Sequence, residues 1–84
     1  LRDFAHEGVG SLRVDAKQSE EKQEFVHKGE EFNLVLQGRV KFLHGGKEYI
    51  LEEGDANYLD SSVPHRVLAL DNKSAYLLNI TINR

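Results

Sequence analysis

The stretch that most narrows the possible folds runs from Phe32 to Phe42, which is apolar and β-branched but broken by Gly38. That composition favours extended chain, and the glycine divides it into two strands joined by a tight turn. Further on, Val40, Phe42 and His44 share one face, and Gly45-Gly46 supplies the positive φ angles that a two-residue hairpin turn demands. Lys47 to Leu51 is the return strand. Turn residues then recur at short intervals. Glu52-Glu53-Gly54-Asp55 is a turn, with Asp55 placed to hydrogen-bond the backbone beyond it. Ala56 to Leu59 is a short strand and Asp60-Ser61-Ser62 a polar loop. Val67 to Leu70 is an apolar run, and Asp71-Asn72 separates it from a last strand, Ala75 to Ile82. Nearer the start, Val9 to Val14 alternates as a first, edge strand, and Lys17 to Glu24 reads as a solvated loop. Glu24 to His27 alternates as a short strand that puts Phe25 and His27 on one face. The pattern predicts an all-β fold, a small antiparallel barrel or sandwich.

With 84 residues the chain makes one domain, 1–84, of a size that buries only about 60% of its unfolded surface and gains from a partner. That small core and an exposed first strand predict a homodimer. At 39% hydrophobic and 30% charged the composition is that of a soluble globular protein. No segment approaches the roughly 20 consecutive apolar residues of a membrane span. Cysteine is absent, which removes disulfides and thiolate ligands and fits a cytoplasmic location. A formal charge of -3 with scattered lysines and arginines offers no basic stripe for phosphates, so this domain is not expected to touch nucleic acid. Methionine is also absent, and the expectation is a segment of something longer.

Polar chemistry gathers around a few positions. His27 and Glu31 would share a helix face, but Gly29 between them costs roughly 1 kcal/mol there. His27 therefore closes one strand and Glu31 opens the next. His65 follows Pro64, whose ring fixes the backbone ahead of an apolar run. Two imidazoles and one carboxylate are the ligand set of a facial-triad metal site with open coordination positions. His27, Glu31 and His65 are accordingly the candidate metal ligands, against the alternative that they hydrogen-bond one another in a barrel that binds an organic molecule. Such N/O donors accept one divalent transition metal: iron, zinc, nickel or manganese. Asn33, two residues after Glu31, faces the same interior and is a candidate to bind a small-molecule ligand, as is Phe25 beside His27. Asn79 is read as an edge position facing water, and His6 and His44 as solvent-exposed. No lysine or arginine is placed by spacing to face an anionic substrate. Ser61, Ser62 and His65 form no recognisable nucleophile elbow.

These residues resemble the cupin family, small β-barrels with two motifs flanking an internal metal site. In the family's first motif, Gly, five residues, His-x-His, three or four residues, Glu, six residues, Gly, the second His matches His27, the Glu matches Glu31, and Gly38 fits. Phe25 stands at the first His, and the opening Gly has no counterpart. In the second motif, Gly, five residues, Pro-x-Gly, two residues, His, three residues, Asn, Gly54 and His65 match, while Asp60, Ser62 and Ala69 replace Pro, Gly and Asn. The likeness spans Phe25 to Asn79. His27 to Phe32 followed by Gly54-Asp55 and Asp60 to His65 is similar to cupins attached to helix-turn-helix transcription regulators. That implies a C-terminal sensory half of such a regulator. A second resemblance runs to hydroxypropylphosphonate epoxidase, a non-haem iron enzyme whose cupin also lacks the first His. It implies a 2-His-1-Glu oxygenase as the alternative.

Overall fold

The computed structural model describes residues 7–15 and 28–82. Among these residues the strands are β1 (Glu7–Val14), β2 (Glu30–Gln37), β3 (Val40–His44), β4 (Lys47–Leu51), β5 (Ala56–Asp60), β6 (His65–Ala69) and β7 (Ala75–Ile82). Antiparallel pairing builds a four-stranded sheet in the order β1-β7-β2-β5 and a three-stranded sheet in the order β4-β3-β6. The two inner faces enclose a core of Val14, Val35, Val40, Phe42, Leu51, Leu59, Ala69, Ala75 and Leu77. Period-two alternation explains the choice: Val35 on β2, Leu77 on β7 and Val14 on β1 all point inward, while Tyr58 and Leu36 point out. Among the described residues no helix is long and apolar enough to cross a membrane.

Two glycine sites direct the chain. The β3–β4 hairpin turns at Gly45 (φ 58°) and Gly46 (φ 84°), the doubly left-handed geometry of a tight two-residue turn. Its register, from Val40↔Leu51 to His44↔Lys47, bears out the expected hairpin. Gly38 does something else. The strands on either side of it are not paired; β2 lies in one sheet and β3 in the other, so Gly38-Arg39 is a crossover between layers. There, at φ 93°, a Cβ on Gly38 would stand 3.0 Å from the Ala75 Cβ, a separation no side chain tolerates without a shift. Beyond the crossover the Arg39 guanidinium holds both Asp71 carboxylate oxygens, at 2.9 and 3.0 Å, pinning it to the β6–β7 turn.

Other expectations change in detail. Asp55 accepts from the Glu52 backbone N–H at 2.8 Å, so its carboxylate closes the turn backwards and does not reach beyond it. β6 begins at His65 itself, which is thus a strand residue paired with His44. The expected strand Glu24–His27, the loop Lys17–Glu24 and His6 lie outside the described residues.

Candidate metal and ligand site

The site lies at one end of the four-stranded sheet, where inward positions turn polar. On β2 these are Glu31 and Asn33; on β7 they are Asn79 and Thr81. Register sets Asn33 directly opposite Asn57 on one side and Asn79 on the other, so one asparagine from each of three adjacent strands forms a row. The row is hydrogen-bonded in sequence. Thr81 Oγ1 donates to Asn79 Oδ1 (2.7 Å), and Asn79 Nδ2 donates to Asn33 Oδ1 (2.7 Å). Asn33 Nδ2 donates to Asn57 Oδ1 (3.2 Å), and Asn57 Nδ2 to the Tyr49 hydroxyl (3.2 Å). Asn33 is 1% exposed, and this network satisfies an amide that burial would otherwise penalise. Asn79 therefore sits on a central strand and faces inward; it is not the water-facing edge residue expected, because β1 pairs with β7 on its other side.

Glu31 and His65 meet above this row. His65 is 6% exposed, and its Nε2 is 3.2 Å from Glu31 Oε2. Its other nitrogen, Nδ1, stands 2.7 Å from the Val63 carbonyl. A carbonyl only accepts, so Nδ1 carries a proton, and in the neutral ring Nε2 holds a lone pair. A lone pair facing a carboxylate oxygen at this distance requires a cation between them, either a proton or a metal ion. Two donors each about 2.1 Å from one ion and at right angles stand about 3.0 Å apart, and the Glu31–His65 separation fits that spacing. Such a nitrogen, fixed by a hydrogen bond at the opposite side of its ring, is the usual state of a metal-binding imidazole. The donor set thus suits a divalent metal. Among the described residues no three His, Asp or Glu side chains gather as a ligand set. His27, the third expected ligand, and Phe25, expected beside it, lie outside the described residues.

A cavity of about 280 Å³ opens at this pair. Glu31, Asn33, Asn79 and Thr81 supply a polar wall, and Leu12, Phe42 and Val67 an apolar one. Arg66 also lines it. It is a cation that spacing did not place there, since its position alternates with the inward His65 and Val67.

Sequence reasoning did not single out Asn57 or Thr81, and it also missed His44 and Ser61. His44 is half-buried, on the same face as Phe42; its ring lies 6.4 Å from that of His65, and its Nε2 donates to the Asp60 carbonyl at 3.0 Å. Its alternation with Val40 and Phe42 was the available signal, outweighed by its place beside a turn. Ser61 is wholly buried and donates to Glu31 Oε2 at 3.1 Å. Next to it, the Asp60 carboxyl accepts from the Ser62 hydroxyl and backbone N–H, which together hold its pKa below the ordinary carboxylate value.

Comparison with known proteins agrees with this fold. Residues 10–81 match the cupin domain family. No curated protein matches the chain in sequence. Among solved structures, a cupin superfamily protein from Desulfitobacterium hafniense aligns with a TM-score of 0.77 and 18% identity over 94% of this chain and 69% of its own. Hydroxypropylphosphonic acid epoxidase from S. wedmorenis, in complex with fosfomycin, aligns with a TM-score of 0.81 and 24% identity over 96% of this chain and 46% of its own. The Fe(II) form of the epoxidase HppE with substrate gives a TM-score of 0.75 and 25% identity over 93% and 47%, and a Co(II) form is similar as well. This chain spans less than half the length of the epoxidases it resembles. With the match covering nearly all described residues, this chain belongs to the cupin domain family.

Proposed function

We propose that this domain binds one divalent transition metal through His27, Glu31 and His65, together with a small molecule in the adjoining cavity. The observation that carries the reading is the facing of His65 Nε2 and Glu31 Oε2 at 3.2 Å, with the ring's other nitrogen already committed to a carbonyl. A bound metal would supply Lewis acidity and open positions for the small molecule. Asn33 and Thr81 on the polar wall and Phe42 and Val67 opposite would orient an amphipathic ligand. In this reading the domain senses occupancy, within a longer transcription regulator, and works as a homodimer. The spelling of the two motif segments supports the regulator context.

Elemental analysis after anaerobic reconstitution with Fe(II), Zn(II), Ni(II) or Mn(II) tests the metal. One equivalent in the parent and none in His65→Ala is expected; no metal in the parent leaves a purely organic-ligand barrel. Light scattering should give twice 9.6 kDa at micromolar concentration, and a monomer rejects the dimer.

A second reading, a non-haem iron oxygenase or epoxidase, draws on the likeness to the Fe(II) and Co(II) epoxidase structures. Dioxygen consumption with turnover by the Fe(II)-loaded domain, lost in Glu31→Ala, would favour it over sensing.

A further inference from the structure

Ser61 is wholly buried and held twice, once through its backbone N–H and once through its hydroxyl. β5 ends at Asp60, but its pairing with β2 continues one residue further, because the Ser61 N–H donates to the Gly29 carbonyl at 2.9 Å. That register places Ser61 on the inward side with Asn57 and Leu59. From there its Oγ reaches Glu31 Oε2 at 3.1 Å, the same oxygen that faces His65 Nε2. The Asn79 amide approaches the other oxygen, Oε1, at 3.5 Å. Glu31 is a flexible carboxylate, and its orientation toward His65 is a choice among rotamers that a fixed donor can make. A hydroxyl does this without adding charge to the site.

We infer that Ser61 is a positioning residue: its buried hydroxyl holds the Glu31 carboxylate facing His65, so that an incoming divalent ion meets both donors already set. The inference rests on the reading of Glu31 and His65 as metal ligands. Hydrogen-bond partners of metal ligands contribute about 10–100-fold to metal affinity.

Co(II) serves as the probe, because its visible spectrum reports ligand geometry directly. The protein and its Ser61→Ala, Ser61→Thr and Ser62→Ala variants would be titrated with Co(II) against a competing chelator, and each melted without metal. Ser61→Ala should bind about 10–100-fold more weakly and show an altered visible spectrum. Ser61→Thr, which keeps the hydroxyl, should restore both. Ser62→Ala removes a neighbouring hydroxyl that goes to Asp60 Oδ1 and should leave affinity and spectrum unchanged. If Ser61→Ala lowers the melting temperature but binds Co(II) with parental affinity and spectrum, Ser61 is structural only and the inference fails. Equal changes in Ser61→Ala and Ser62→Ala would assign the effect to loop integrity and also overturn it. Absence of Co(II) binding by the parent would instead remove the metal reading itself, and the inference with it.

Discussion

Strands β2 and β7 run through both ends of the sandwich, and their inward side chains change character halfway along. At one end Val35, Leu77 and Ala75 meet Val14 and Val40 in a closed apolar core. At the other, on the same strands and the same face, Glu31, Asn33, Asn79 and Thr81 line a cavity. Backbone pairing is continuous across the change apart from a register shift between Val35 and Gln37. In the proposed reading, stability and binding thus fall to different halves of the same two strands, separated by one alternation of the chain.

The largest effect that sharpens this contrast should come from the apolar end. Leu77→Ala leaves a cavity at a fully buried site and should cost about 2–5 kcal/mol in denaturant unfolding. A cost near zero would show that this end is not the stabilising half. Next is Asn33→Ala at the polar end, which strips partners from both Asn79 and Asn57. Unpaired buried groups cost about 1–3 kcal/mol, and ligand affinity measured by calorimetry should fall with it. If stability and binding are both unchanged, the row is incidental.

His65→Ala should divide the two properties most cleanly, abolishing metal uptake while lowering stability by less than Leu77→Ala does. The smallest effect concerns acid. Ser62 holds the folded Asp60 carboxyl below its ordinary value, so the folded state binds that proton less readily than the unfolded chain. The resulting stability is complete above the unfolded value, about 3.9, and is lost as pH falls through the lower folded value. Asp60→Asn should therefore lower the melting temperature slightly at neutral pH, with the difference vanishing in strong acid.

The sequence made some of this contrast legible. Local signals were enough for the Gly45-Gly46 hairpin, for β7 from Ala75 to Ile82, and for Glu31 and Asn33 sharing the interior. They failed wherever the answer depended on which strand lies beside which. Gly38 looks the same in a sequence whether it turns a hairpin or passes between layers; its clash with Ala75 comes from a residue far along the chain. Asn79 reads as an edge residue until β1 is known to cover β7. Ser61 needed the β2–β5 register to bring it to Glu31, and His44 needed the pairing with β6 to bring it to His65.

The asparagine row has a further consequence. Each amide in it gives through nitrogen and takes through oxygen, always in the same sense from Thr81 to Tyr49. The three dipoles are therefore aligned head to tail, and none can turn over alone without setting two acceptors or two donors against each other. The wall behaves as one polarised object with a direction. Where Thr81, Asn79 and Asn33 line the cavity, the order of donors and acceptors along the wall is therefore fixed, and one direction along it is physically different from the reverse.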